Sequence, residues 1–214
     1  MTETYHFSSE QLIRTCPLPK SMFSHKTRES LTITASKIEP LSSLLKRNKK
    51  HLPYSIMERL IESIGRQLHQ LEMDNKAISS FNLDDITVFY DTQTTSIHFA
   101  ITNEDKIHDI DDEHRLTIST PYKKEYTTPT TKNIAFHSPE FKEFISKKTI
   151  PYTLHFKSGY YSFGLLCLYC YVSRNIVSAA PTDQELAPII NTKIYWFLRW
   201  ALHENPSERR YICV

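Results

Sequence analysis

Between residues 54 and 72 the apolar side chains Ile56, Met57, Leu60, Ile61, Ile64, Leu68 and Leu71 recur at helical spacing. This predicts a helix with one wide apolar stripe. Ser55 and Glu58 stand three apart at its start and read as a capping box. A second long helix is expected from Gly159 to about Ser173, apolar almost all round and therefore central to the core. Ile189, Ile190, Ile194, Phe197, Leu198, Ala201 and Leu202 trace a last amphipathic helix, entered through Thr182-x-x-Glu185 and closed by Asn205-Pro206. Alternation suited to strands is confined to Leu31–Ala35, Ile86–Tyr90 and Ile97–Ile101, the last two joined into a hairpin by the turn Asp91–Ser96. Pro40 breaks the chain before a short helix at 41–45, and Ser138-Pro139-Glu140 opens another. Residues 1–30 are weakly patterned. Residues 102–133 form a long polar connection with an acidic tract, Glu104 to Glu113, and a Thr/Pro stretch at 127–131 that could accept phosphate. The pattern predicts a mainly α (α+β) domain without repeats or an internal linker.

Composition narrows the function. Glycine occurs three times in 214 residues, at Gly65, Gly159 and Gly164, where about 7% is average. A Walker A loop, a dinucleotide-binding turn and a kinase glycine-rich loop each need closely spaced glycines, so all three are excluded. A net charge of +2 lacks the basic excess of a dedicated nucleic-acid binder. The charge is uneven, however: residues 1–50 carry nine Lys/Arg against four Asp/Glu, and residues 71–120 carry three against eleven. Lys46, Arg47, Lys49 and Lys50 form the basic cluster that a nucleic acid or an acidic partner would touch. Cys167-x-x-Cys170 lies inside the apolar helix and offers two of the four ligands zinc prefers. The acidic tract lacks the glycine of a calcium loop and reads as a solvated segment. No metal or cofactor is expected. Four cysteines, no signal-peptide pattern and no apolar run long enough to span a bilayer suggest an intracellular protein, cytoplasmic or nuclear, that does not engage membrane.

Four short segments carry a family resemblance. Ile64-Gly-Arg-Gln-Leu-His69 is similar to the helix end before the kinase catalytic loop, and Ser138-Pro-Glu140 to the A-P-E motif. Tyr161-Ser-Phe-Gly-Leu-Leu166 is similar to the start of the kinase central buried helix, and Asn205-Pro-Ser-Glu-Arg209 to the D-P-x-x-R element. In this order the chain resembles the large C-terminal lobe of the protein-kinase fold over residues 31–214, with residues 1–30 an extension or remnant of the small lobe. The resemblance implies a buried Glu140–Arg209 ion pair. It also implies lost chemistry. Aligning Asp85-Ile86 on the family's Asn-Ile pair puts Ser80 at the catalytic aspartate, Asp85 at the metal-binding asparagine and Ile101 at the second metal-binding aspartate. Serine does not act as a carboxylate base at neutral pH, and isoleucine does not hold a metal.

The expected function is that of a pseudokinase, a catalytically inactive module that binds a protein partner, similar in kind to KIND modules. The alternatives are a divergent active kinase and a structural subunit of a nucleoprotein assembly. With the small lobe reduced or absent, the uncovered face would present Phe81, Leu83, Phe89 and Tyr90 among Asp84, Asp85 and Asp91, a patch suited to a basic, partly apolar peptide.

Overall fold

The computed structural model describes residues 2–49, 51–119, 135–172 and 183–210. In chain order these form β1 (Glu3–Phe7), α1 (Glu10–Thr15), β2 (Phe23–Lys26), β3 (Leu31–Ala35), β4 (Lys37–Pro40), α2 (Leu41–Arg47) and α3 (Tyr54–Met73). Next come β5 (Lys76–Ile78), β6 (Phe81–Asn82), β7 (Ile86–Tyr90), β8 (Ile97–Ile101), β9 (Ile107–Asp109) and β10 (Arg115–Ile118). The remainder comprises β11 (Ala135–Phe136), α4 (Pro139–Lys147), β12 (Tyr152–His155), α5 (Ser158–Val172), α6 (Asp183–Leu186) and α7 (Lys193–Ala201).

Apolar spacing accounts for the long elements. The stripe on α3 is buried at Met57, Leu60, Ile61, Ile64, Leu68 and Leu71. Its N-cap is Pro53, with no side-chain cap, so the Ser55–Glu58 box does not form. Helix α5 is apolar on every side and lies inside. The last amphipathic stretch is not one helix. Pro188 sits in a 3-10 turn, Asn191 adopts a φ of 66°, and α7 starts afresh where Thr192 Oγ1 accepts from the Tyr195 amide at 3.2 Å. Ser138 likewise caps α4, accepting from the Phe141 amide at 3.2 Å.

The mainly α expectation is corrected. Among the described residues, twelve strands pair antiparallel in five small sheets, with orders β1-β3-β2, β4-β7-β8, β5-β9, β6-β11 and β10-β12. The fold is α+β. Alternation revealed β3, β7 and β8, but the other strands are two to five residues long, several of them paired with distant segments, and left no such signal. Residues 1–30, read as weakly patterned, supply two strands of the first sheet. Phe7, Leu12, Ile13, Leu18 and Met22 join the same core as α3, α5 and α7. A smaller cluster around Leu116, Phe141, Phe144 and Leu154 fastens α4 to the β10–β12 pair.

Two glycines are placed by close approach. A Cβ at Gly159 would lie 2.2 Å from the Ile78 carbonyl oxygen, so the first turn of α5 rests directly on the backbone that follows β5. A Cβ at Gly164 would lie 2.9 Å from Leu202 Cδ2 and 3.1 Å from Ala201 Cβ, where α5 crosses the end of α7. Overpacking of this kind destabilises by about 1–3 kcal/mol. Gly159→Ala is expected to lose more stability than Gly164→Ala, because a backbone carbonyl cannot yield as a leucine tip can. Urea denaturation of the two variants checks the order.

Candidate functional site

The loop after β5 and the segment after β8 meet in a buried polar centre. Asp85 is the hub. Its Oδ2 accepts from the Asn82 amide at 2.6 Å and from Lys106 Nζ at 2.5 Å, and its Oδ1 accepts from Asn103 Nδ2 at 2.7 Å. Both ends of the Asp85–Lys106 pair are buried, Lys106 being 6% exposed. Burial pushes the Lys106 ammonium below its usual pKa, and the Asp85 carboxylate pulls it back up. The Asp85 carbonyl also accepts from the Thr102 amide, which ties the two segments together through backbone.

Ser80 and Ile101 flank this hub. Ser80 is fully buried, and its Oγ has no hydrogen-bond partner among the described residues. Ile101 is buried, with its amide donating to Gln67 Oε1 at 2.8 Å. Beside them, His108 Nε2 and Ser79 Oγ lie 3.2 Å apart. Burial lowers the His108 pKa, with Asp109 opposing, which favours the neutral imidazole. Ser79 is itself buried, so this contact orders the loop and meets no solvent. From below, Ser162 Oγ accepts from the Phe81 amide at 2.7 Å and donates to the Phe136 carbonyl.

The structure brings Glu140 and Arg209 together. Arg209 is 0% exposed and donates to both carboxylate oxygens of Glu140, with Nη2 3.0 Å from Oε2. Its other donors reach the carbonyls of His203 (2.9 Å), Lys157 (3.4 Å) and Glu204 (3.2 Å), and its guanidinium lies 4.8 Å from the Tyr161 ring centroid. Ser158 Oγ donates to Glu140 Oε1 at 3.0 Å. Burial alone would raise the Glu140 pKa, but these bonds and the guanidinium charge hold it below its usual value.

The uncovered face expected at 78–101 is covered, which is a second correction. Phe81, Leu83 and Phe89 are buried, and Tyr5 and Phe7 of β1 pack on the Phe89 ring at centroid distances of 5.6 and 6.3 Å. Asp91 is buried as the corner of the hairpin turn, accepting from the Gln93 amide and the Thr94 hydroxyl. Asp84 remains exposed and accepts from Ser42. Tyr90 is half-buried and belongs to a different cluster. Its hydroxyl donates to Glu39 Oε1 at 2.6 Å, while Arg47 clamps the same carboxylate at 2.6 and 2.9 Å and Lys37 adds a bond of 2.7 Å. Arg47 is thus paired with Glu39 and Tyr90, yet its side chain remains 48% exposed. Lys46 and Lys49 are exposed, and Lys50 lies outside the described residues.

Other candidate groups are dispersed. His108, Asp109 and Asp111 face Ser79, Lys76 and the backbone amides of Glu113 and Arg115 respectively. Among the described residues no group of three or more His, Cys, Asp or Glu is placed to hold a metal ion. Cys167 and Cys170 are free and fully buried, and burial raises both thiol pKa values. The Thr/Pro stretch at 127–131 lies outside the described residues. No helix among those described is long and apolar enough to cross a membrane.

Sequence reasoning missed Lys106, Asn103, Gln67 and Ser162. Two of them left a trace: Lys106 is the one cation among residues 104–113, and Gln67 falls on the apolar stripe of α3. The chain matches no protein-family model and no curated protein.

Removing one partner of a buried ion pair costs about 3–5 kcal/mol, out of a total stability of roughly 5–15 kcal/mol. Arg209→Ala is therefore expected to give largely insoluble protein. Lys106→Met should be strongly destabilised, with part of the loss recovered in the double variant Asp85→Asn/Lys106→Met, as read by chemical denaturation. A third outcome concerns acid. At Glu39 burial opposes ionisation, but Arg47, Lys37 and Tyr90 outweigh it and lower the carboxyl from 4.5 to about 2. A carboxyl depressed in the folded state stabilises above its unfolded pKa, and that contribution is lost as pH falls through the folded one. Stability should drop between about pH 4.5 and pH 2, and Glu39→Gln should flatten that part of a melting-versus-pH curve.

Proposed function

We propose that this chain is a catalytically inactive, kinase-like module that acts by binding a protein partner. The reading starts from the four motif segments and is supported most by what occupies Asp85. In the resemblance Asp85 takes the place of the residue that holds a metal ion, and a free carboxylate there would be a good magnesium ligand. It is not free. An ammonium group, Lys106 Nζ, sits on Oδ2 at 2.5 Å, and an amide from Asn103 holds Oδ1. The chain thus supplies its own cation at this position, through a side chain instead of an ion. For magnesium to bind, Lys106 would have to leave, and its charge would have to find a new counter-ion.

Ser80 adds to the argument. It stands at the position of the catalytic base, its hydroxyl is fully buried, and a hydroxyl is not a base at neutral pH. The Glu140–Arg209 pair, by contrast, keeps the scaffold that joins the S-P-E segment to the last helix. Retention of the scaffold with a closed polar centre favours binding over phosphoryl transfer. The nucleoprotein alternative draws less support, since the charge of Arg47, though exposed, is already paired with Glu39.

The test is a thermal-shift measurement with ATP and either Mg²⁺ or Mn²⁺. The wild-type chain is expected to show no shift that EDTA reverses. A metal-dependent shift that EDTA abolishes would overturn the inactive reading and favour a divergent active kinase.

A further inference from the structure

A cleft of about 410 Å³ separates the Pro17–Pro19 segment from the flank of α3 and the start of β8. It is remote in role from the Asp85 centre, and its polar lining is dominated by donors. Arg59, Ser63 and Arg66 follow one another along one face of α3, and His98 enters from β8. Arg59 and Arg66 are seven residues apart, two helical turns or about 10 Å along the axis, so their guanidinium groups bracket the cleft. Ser63 sits between them, one turn from Arg59. Pro17 and Pro19 form a stiff opposite wall.

The charges here are poorly compensated within the chain. Among the described residues no carboxylate pairs with Arg59. Arg66 holds only Glu62, in an i,i+4 pair that is exposed at both ends and therefore weak. His98 is half-buried. Burial disfavours its protonation first of all, Asp91 works against that, and the Arg59 charge adds to it. A concave site with two guanidinium forks, a hydroxyl and an imidazole, and one weakly held carboxylate, calls for an anion that brings several acceptor oxygens. Arginine forks match phosphate oxygens two at a time.

We propose that this cleft binds a phosphomonoester, its phosphate held between Arg59 and Arg66 and its organic carrier lodged against Pro17 and Pro19. The volume is that of a small-ligand site, larger than a bare phosphate requires. Two carriers present this chemistry in a compact form, a phosphorylated hydroxy-amino acid and a sugar phosphate. Glu62 competes with the ligand for Arg66 and repels its charge, so it lowers the affinity.

The experiment is an NMR titration of the full chain with O-phosphoserine, ribose 5-phosphate and inorganic phosphate, following the arginine Nε–H and His98 signals. At least one ester is expected to bind more tightly than inorganic phosphate, and the preferred ester identifies the carrier. Arg59→Gln and Arg66→Gln are each expected to weaken that ester about tenfold, the scale of one charge-assisted hydrogen bond. Glu62→Gln should tighten it, and Arg28→Gln, which removes an exposed arginine paired with Glu10 outside the cleft, should leave it unchanged. All four positions are on the surface or half-buried, so melting temperatures near wild type accompany the comparison. Equal binding of inorganic phosphate and both esters, wild-type affinity in the two arginine variants, or weaker binding in Glu62→Gln would each overturn the proposal.

Discussion

A guanidinium group with no access to water holds the last segment of the described chain to its centre. Desolvating Arg209 costs several kcal/mol, and the fold offsets this by meeting the group on every side: two carboxylate oxygens, three backbone carbonyls and the face of Tyr161. The consequences run outward from Glu140. Its Oε1 is shared with Ser158, whose hydroxyl also meets that of Ser138, the N-cap of α4. One residue on, Gly159 lies against the Ile78 carbonyl, and one turn later Ser162 holds the Phe81 amide. The ion pair thereby sets the position of α5, and α5 sets the shape of the loop that carries Ser80 and Asp85.

That loop is held by polar contacts as well as by the buried side chains of Phe81 and Leu83. Buried networks strengthen one another when every member is satisfied and become liabilities when one is not. Asp85 is the satisfied case, with three donors on two oxygens. Ser80 Oγ is the exception, buried and without a partner among the described residues. Gln67 contributes from below. Its amide meets the N–H of Ile101 at 2.8 Å and the carbonyl of the same residue at 3.4 Å, standing in for a neighbouring strand at the end of β8.

The long helices and the 86–101 hairpin were legible because apolar periodicity over many residues has few structural solutions. Glu140 and Arg209 were legible through motif text, Glu140 following Pro139 and Arg209 three residues after Pro206. The five small sheets were not. A two-residue strand such as β6 carries no alternation, and its partner β11 lies more than fifty residues away. The uncovered face failed for a related reason. Phe81, Leu83 and Phe89 were read as part of an open patch that residues 1–30 would drape over or order upon; Tyr5 and Phe7 do lie on Phe89, while Phe81 packs inward against Phe163. Lys106 was hidden by its company, since a lysine in an acidic tract reads as solvated until the backbone turns it inward toward Asp85.

The spacing of the Arg209 lock also bears on how the chain is made. Glu140 and Arg209 are separated by 69 residues, which a ribosome working at about 5–20 residues per second adds in roughly 3–14 s. Throughout that interval the carboxylate of Glu140 lacks its Arg209 partner, and α5 is synthesised, apolar on every side, before α7 exists to cover it. The nascent chain therefore passes through a stage in which its most hydrophobic helix is complete and its fastening is not. Until Arg209 is added, the apolar surface of that helix is a surface on which a nascent chain can be held or can aggregate.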